Sequence, residues 1–190
     1  MREKHFFVAA VFATIITTAY CSCSSGCSVY NLYIQDFFNT SEPVWVYNST
    51  ATTMQGCKVD VLSGIVGKTI SFQRRYIQGN RTVRESLTGL IGTDLDTIYI
   101  NTGGSSCQKE KLLYFSYDHQ CAVLEVTMPN SCRTPHYELR LRNSSVSAPP
   151  LYECQQKFIS YHGAGHRVYA NDCQRILGPG CQQAHPCYNG

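Results

Sequence analysis

Two histidines in the C-terminal third of the chain have the spacing of metal ligands. His162 and His166 are four residues apart, and Cys154, Cys173 and His185 are close enough in sequence to complete a zinc site. The glycines between the two histidines interrupt the helical geometry that would bring both imidazoles to one ion. In a chain with eleven cysteines, disulfides explain these cysteines better than thiolate ligands do. We therefore predict no metal centre.

Residues that could act as nucleophiles occur without the context that catalysis needs. Serine, histidine and aspartate are all present, but no serine lies in a nucleophile elbow. An unpaired cysteine would serve as a nucleophile only in a cavity that lowers the pKa of its thiol. Gly103-Gly104 lies in a polar stretch and indicates a turn rather than a phosphate-binding loop. We expect no catalytic step and no cofactor.

Glu138 and Arg140 form a charged pair whose location depends on the fold. They alternate with Tyr137, Leu139 and Leu141, so in a strand the charges share one face and the other three residues share the opposite face. In a two-layer sandwich the charged face would meet water. In a barrel covered by a helix, the apolar face could be the outer one, and Glu138 and Arg140 would then point into a cavity.

Short β-rich runs follow one another from Val44 onward, separated by Gly, Asn, Asp, Ser and Pro. Tight turns such as Gln78-Gly79-Asn80 predict that consecutive strands pair antiparallel. Eight such strands favour an all-β fold, an up-and-down barrel that has no sheet edges and can hold one small ligand. The predicted strands are 44–47, 57–62, 69–77, 81–90, 95–101, 111–117, 121–128 and 137–142.

A helix is predicted on each side of the strands. Apolar residues recur at helical spacing within 30–38. A second apolar stripe, which includes Leu151, Cys154 and Phe158, begins after Pro149-Pro150 and is interrupted at Gly163. We expect this C-terminal helix to pack on the outside of the barrel. Residues 176–190, rich in Gly, Pro, Gln and Cys, form a predicted irregular tail.

The composition and the N-terminus indicate a secreted single domain. The 190 residues have a formal charge of +3, 15% charged and 12% aromatic residues, which argues against a disordered polyelectrolyte and a nucleic-acid binder. Eleven cysteines indicate an oxidising compartment. A cationic opening and the apolar run 6–20 predict a signal peptide over 1–21, cleaved between 19 and 26, before a domain at 22–175. The run is shorter than the ~20 residues that span a bilayer, so no membrane span is predicted.

Four sequons predict glycosylation at the surface of a secreted chain. They are Asn39, Asn48, Asn80 and Asn143, each followed by the Asn-X-Ser/Thr pattern without proline. Asn80 directly follows Gly79 and could equally serve a turn. We expect some but not all of the four sites to be used.

Several segments occur in a distinctive order along the chain. They are EPVWVYNST at 42–50, CKVD at 57–60, LYFSYD at 113–118, CAVLEV at 121–126 and YEL at 137–139, followed by Cys154 at the start of a predicted helix. Over about residues 41–173 these segments resemble the tick salivary lipocalins, the histamine-binding family. Cys121, Glu138-Leu139 and Cys154 match the amine-binding signature of that family. Ala122 stands where the family has aspartate, and Arg140 stands where it has an aromatic residue.

The resemblance implies a lipocalin barrel with two disulfides, Cys57–Cys173 and Cys121–Cys154. Both would attach the C-terminal helix and the segment after it to the barrel wall. Cys107 and Cys132 are candidates for a third bridge. The resemblance also implies a monomer that is secreted into saliva.

The same resemblance implies that the protein sequesters a host biogenic amine such as histamine or serotonin. The residues expected to line the cavity are Glu138, Arg140, Trp45, Phe72, Tyr76, Tyr99 and Phe115. Trp45 has a second interpretation, in which it packs at the closed end of the barrel. An Arg140 guanidinium in the cavity would pair with Glu138 and would suit a carboxylate, so an anionic lipid mediator such as a leukotriene is another ligand class. Capture of a host protein, such as a complement component, by the outer surface is the alternative function.

Overall fold

Eight antiparallel strands, whose side chains alternate between the inner and the outer face, close into a barrel. The computed structural model describes residues 32–52, 55–103, 107–128 and 134–178. Each strand pairs with the next along the chain, β8 pairs with β1, and β1 also pairs with β2, which closes the sheet. The strands are β1 (Val44–Ser49), β2 (Gly56–Val66), β3 (Thr69–Gln78), β4 (Arg81–Ile91), β5 (Thr97–Asn101), β6 (Cys107–Phe115), β7 (Cys121–Thr127) and β8 (His136–Arg142). The predicted all-β barrel is thus confirmed.

Two strands begin two or more residues away from their predicted starts, and β2 continues four residues past its predicted end, to Val66. β5 begins two residues later than predicted because Leu95 adopts a left-handed backbone conformation, with φ 62°, and its carbonyl accepts a hydrogen bond from the Ile34 N–H at 3.0 Å. β6 begins at Cys107, opposite Asn101 of β5. Pairing with the neighbouring strand, which local composition does not reveal, fixes both positions.

The short helix α1 (Ile34–Phe38) fills the lower end of the barrel, where β1 begins. Ile34 and Phe37 are fully buried, and the Phe37 ring lies 5.6 Å from that of Phe115. Arg142 of β8 donates hydrogen bonds to the carbonyls of Asp36 and Phe37. These residues form the lower core with Phe38, Val44, Ile70, Phe72, Leu87, Ile91, Ile98, Ile100, Leu112, Ala122 and Leu124.

The helix α2 (Tyr152–His162) packs outside the barrel against β6, β7 and β8. Its Cys154 and Phe158 are buried against the outward side chains of the sheet. This outer core also contains Trp45, Tyr47, Val59, Val61, Val123, Leu139, Leu141, Val146, Tyr169, Ile176 and Leu177. The apolar faces of these strands are therefore their outer faces, which leaves the inner faces free for charged residues.

The segment after α2 fills the gap between β1 and β2. A two-residue strand, β9 (His166–Arg167), pairs with Asn48 and Ser49 of β1, and the Cys57 N–H donates to the Val168 carbonyl at 3.1 Å. A 3₁₀ helix at Asn171–Leu177 follows, so regular structure continues two residues past the predicted boundary at 175. No pattern in the sequence predicted either of these elements.

Both disulfides implied by the family resemblance are present. Cys57–Cys173 joins β2 to the 3₁₀ helix across 116 residues of sequence, and Cys121–Cys154 joins β7 to α2. In the chain-entropy treatment the longer bridge stabilises the fold by about 4 to 5 kcal/mol. Cys132, the predicted signal peptide and residues 179–190 lie outside the described residues, so the third bridge, the cleavage site and the tail stay predictions. The longest helix in the described part of the chain has 11 residues and could not span a membrane.

Candidate functional site

The upper end of the barrel, opposite α1, contains a cavity of about 1000 Å³. Its walls come from the upper parts of the strands and from the segment after α2, which contributes His166 and Val168. Serine, threonine and glutamine side chains make up much of the lining, and Val46, Val126 and Met128 add apolar surface. A cavity with this volume is large enough for a small organic ligand.

Six charged side chains meet inside the barrel between the cavity and the lower core. This internal ion network consists of three cations and three anions, namely Lys58, Arg74, Arg140, Asp60, Glu110 and Glu138, all of them buried. Three strands each supply two or more polar side chains at alternate positions, because inward residues repeat every second position. Lys58, Arg74 and Glu138 also line the cavity, so the network forms its floor.

Short hydrogen-bonded ion pairs connect the network. Lys58 Nζ lies 2.7 Å from Glu138 Oε1, and Arg74 Nε lies 2.7 Å from Asp60 Oδ1. Glu110 Oε1 accepts from Arg74 Nη2 and Arg140 Nη2, both at 2.8 Å. Arg140 Nε donates to Glu138 Oε2 at 2.8 Å. Since burial of an unpaired charge is costly, these contacts are what make the burial tolerable.

The network changes the pKa values of its members. Burial alone would raise the pKa of Glu110, but the charges of Arg140 and Arg74 lower it to about 2. Burial likewise opposes ionisation of Glu138, yet Lys58 and Arg140 hold its pKa well below the usual range. Burial lowers the pKa of Lys58, and the neighbouring Glu138 offsets only part of that effect.

A second carboxylate, Glu85 on β4, lines the cavity at the position directly across from Arg74 of β3. Its Oε1 accepts a hydrogen bond from the Tyr76 hydroxyl at 3.2 Å. None of the ion pairs among the described residues involves Glu85. Burial and the adjacent Glu85 carboxylate raise the pKa of Tyr76. Among the described residues, Glu85 is thus a cavity carboxylate without an ion-pair partner.

The structure brings only two of the seven sequence-predicted ligand residues to the cavity wall. Glu138 and Tyr76 line the cavity. Arg140 faces the interior but is completely buried beneath the floor, where Glu138, Glu110 and Asp60 surround its guanidinium. Phe72 and Phe115 lie lower, in or against the lower core. Tyr99 projects from the outer face of β5 and is 43% exposed.

Trp45 lies on the outside of the barrel wall, neither in the cavity nor at its closed end. It is fully buried in the outer core, and its ring centroid is 5.1 Å from that of Tyr169. Its Nε1 donates a hydrogen bond to Asn143 Oδ1 at 2.8 Å. The alternation of β1 explains the difference, because Val46, one residue later, is the side chain that reaches the cavity.

Four residues of the site were not predicted from the sequence, namely Lys58, Arg74, Glu110 and Glu85. The signal that could have found Lys58 and Glu110 is the repeat of polar residues at every second position, as in Lys58 with Asp60 and Gln108 with Glu110, whereas Arg74 is a single charge on the face that Phe72 and Tyr76 share. Glu138 and Arg140 have the same spacing, which predicted that they share one face of their strand. Glu85 lies on the inward face of β4 between Val83 and Leu87, so a single carboxylate on an otherwise apolar face is the signal that could have found it.

The candidate zinc ligands do not form a zinc site among the described residues. Cys154 and Cys173 are both in disulfides and supply no thiolate. The described residues contain one close group of ligand-type side chains, Cys57, Asp172 and Cys173, and two of its members form a disulfide. His185 and the side chain of His162 are not among the described parts of the chain.

Comparison with known proteins shows similarity at the level of structure. Neither protein-family models nor curated protein sequences gave a match. Among solved structures, lipocalin 12 from rat epididymis matches with a TM-score of 0.51 and 9% identity, over 68% of this chain and 77% of that one. The fold is that of the lipocalins. The crystal structure of AM182 in complex with serotonin matches with a TM-score of 0.55 and 16% identity, over 73% of this chain and 91% of the other. At these identities the lipocalin likeness concerns the fold.

Proposed function

We propose that this chain is a secreted lipocalin that sequesters a small organic cation, of the biogenic-amine type, in its upper cavity. The observation that carries the proposal is the Glu85 carboxylate, which faces the cavity beside the Tyr76 ring and has no described cationic partner. An ammonium group binds favourably where a carboxylate and an aromatic ring are close together.

The charge balance of the barrel interior supports a cation rather than an anion. The internal ion network contains equal numbers of cations and anions, and Glu85 adds a negative charge that none of the described ion pairs balances. Glu138, the carboxylate that the family signature would offer to an amine, already pairs with Lys58 and Arg140. The ligand cation is therefore assigned to Glu85.

The lining also argues against a long acyl chain. Arg140, the residue that favoured an anionic lipid in the sequence analysis, is saturated by three carboxylates and does not line the cavity. The hydroxyl and amide side chains of the wall would lose hydrogen bonds to water against a hydrocarbon tail. A compact ligand with polar groups could replace those hydrogen bonds.

We also propose that the protein is secreted and that the amine it captures is a mediator made by a host. The predicted signal peptide and the two disulfides support an extracellular protein. AM182, a protein with the same fold, was crystallised with serotonin, which supports an amine as the ligand class. The resemblance to the salivary histamine-binding family supports capture of that amine at the site of a bite.

The experiment that tests the proposal is titration calorimetry of the glycosylated, disulfide-bonded protein with serotonin, histamine and leukotriene C4. Glu85→Gln should weaken amine binding about tenfold or more, equivalent to ~1.4 kcal/mol, because it removes the charge and keeps the side-chain shape. Glu153→Gln is the matched control. Glu153 lies on α2, outside the barrel, and also accepts a tyrosine hydroxyl at 3.2 Å.

Three results would overturn the proposal. Equal loss of affinity in both variants would show that Glu85 does not contact the amine. Tight binding of the leukotriene, without binding of either amine, would show that the ligand is a lipid mediator instead. Absence of all binding in a folded sample would favour the alternative in which the outer surface captures a host protein.

A further inference from the structure

Lys58 is the one lysine among the described residues that lines the upper cavity. Its side chain is only 8% exposed, and its Nζ lies 2.7 Å from Glu138 Oε1. The other described lysines belong to the outer surface, where Lys68 is exposed in the turn between β2 and β3. A primary amine thus reaches the floor of an enclosed space beside a carboxylate that can accept a proton from it.

We propose that Lys58 captures aldehydes covalently, forming a protonated Schiff base at the floor of the cavity. This activity is separate from the reversible binding of an amine at Glu85. The ligand class is a small aldehyde, aromatic or unsaturated, of a size that the cavity admits.

The reaction balances without any further reactant. Glu138 takes one proton from the Lys58 ammonium, and the neutral amine attacks the aldehyde carbon, so that a C–N bond forms and a carbinolamine results. The proton returns to the carbinolamine hydroxyl, which leaves as water when the C–O bond breaks. The product is an iminium ion, and the sum is ammonium plus aldehyde giving iminium plus water.

Charge conservation makes the product suitable for this site. The iminium ion carries the same single positive charge as the ammonium that it replaces. The internal ion network therefore keeps its equal numbers of cations and anions, and Glu138 remains paired. Acylation of Lys58 would instead abolish the charge and leave a buried carboxylate with one partner fewer, which is costly. The network thus favours carbonyl compounds over acylating agents.

The surroundings of Lys58 also favour the attacking form of the amine. Burial lowers the pKa of Lys58 despite the nearby Glu138, and each unit of lowering increases the fraction of neutral amine about tenfold. His136 Nε2 lies 3.4 Å from Glu138 Oε1 and lines the cavity. Its imidazole can relay the proton between the carboxylate and the leaving hydroxyl.

The test is reductive trapping of the intact, disulfide-bonded protein with cinnamaldehyde. The protein is incubated with the aldehyde, reduced with sodium borohydride, digested, and analysed by peptide mass spectrometry. We expect the Lys58 peptide to be labelled faster than the Lys68 peptide, because the cavity holds the aldehyde beside the Lys58 amine. In Lys58→Arg, which keeps the positive charge and cannot form an imine, this label should disappear, whereas Lys68→Arg should leave it unchanged.

Labelling of Lys58 at or below the rate of Lys68 in the wild-type protein would overturn the proposal. Because that comparison is made within one folded molecule, it holds even where Lys58→Arg impairs folding. Failure of serotonin to bind would overturn the proposed amine function and leave this labelling pattern unaffected. The two proposals therefore fail separately.

Discussion

Glu110 shows how a fully buried carboxylate stays ionised in this barrel. Its Oε1 accepts hydrogen bonds from Arg74, Arg140 and Gln108, the last at 2.6 Å. The desolvation that would neutralise an isolated carboxyl group is outweighed by two guanidinium charges. Removal of Glu110 would leave those guanidinium groups buried with fewer anions than cations around them, a situation that proteins rarely tolerate.

Glu110→Gln should therefore destabilise the protein by about 3 to 5 kcal/mol at pH 7. The pKa of Glu110 is about 2 in the folded protein, below its ordinary value of 4.5, so the unfolded chain binds more protons between those pH values. The stabilisation is complete above the unfolded pKa and is lost as pH falls through the folded one. Urea unfolding at pH 7, 4 and 3 measures both effects.

The variant is expected to lose stability less steeply than the wild-type protein on acidification. Glu153→Gln, an exposed substitution, controls for general effects of removing a carboxylate. If Glu110→Gln and the wild-type protein lost the same free energy of unfolding between pH 7 and pH 3, Glu110 would not be the carboxylate that responds to acid in this range.

For single residues, the sequence could predict a place in the site only where the alternation within one strand was sufficient to show which way the side chain points. Glu138 and Arg140 alternate with apolar residues, so the shared face was evident, and both do point inward. The network members Lys58, Arg74 and Glu110 come from three other strands. Which inward positions meet depends on strand register and barrel closure, and local patterns do not specify either of them.

Among the secondary-structure elements, strong periodicity and turn residues made the strands predictable. All eight predicted runs form strands, and α2 begins two residues after Pro150 and ends just before Gly163, as Pro and Gly punctuation indicated. β9 has only two residues, too few to show an alternation of polar and apolar side chains. Its conformation comes from hydrogen bonds to β1, such as the bond from the Val168 N–H to the Tyr47 carbonyl at 3.0 Å just after it.

Gly165 allows β9 to approach β1 closely. It has φ +60°, and an added Cβ would lie 2.5 Å from the Ser49 carbonyl oxygen and 3.1 Å from Phe158 Cζ. Gly165→Ala should cost about 1 to 3 kcal/mol from backbone strain alone, and more from the contact. Because His166 and Val168 line the cavity, displacement of β9 should also weaken serotonin binding, measured by calorimetry.

Gly163→Ala is the matched control, since Gly163 also has positive φ, +80°, and its added Cβ would meet nothing within 4 Å. This variant should lose stability from strain while it keeps the wild-type affinity for serotonin. Equal affinities of the two variants would show that the position of β9 does not influence the cavity.

On the scale of the whole molecule, the outer surface is divided between covered and exposed regions. α2 and the segment after it cover one part of the barrel wall, and the sequons lie on both kinds of surface. Asn39 and Asn80 are exposed, and Asn48 is half-buried on β1. Asn143 is buried, and its Oδ1 accepts hydrogen bonds from Trp45 and Gln174, both at 2.8 Å.

We therefore expect N-glycans on Asn39 and Asn80 and none on Asn143. A glycan on Asn143 would require that the covering segment move away from Trp45, with loss of two buried hydrogen bonds. Enzymatic deglycosylation in heavy-oxygen water, followed by peptide mass spectrometry, measures occupancy at each site. Full occupancy of Asn143 in folded protein would show that the 3₁₀ segment does not cover Trp45 as described.

In the part of the chain that the structure describes, the filled lower end of the barrel leaves the upper rim as the route by which a bound ligand leaves. α1 and the aromatic rings of the lower core occupy that end, so entry and exit both pass the upper rim. A residue that only narrows this passage, without touching the bound ligand, slows association and dissociation by the same factor and leaves the equilibrium affinity unchanged. Residence time and affinity can therefore vary independently here, the first through the rim and the second through the groups at the floor and wall.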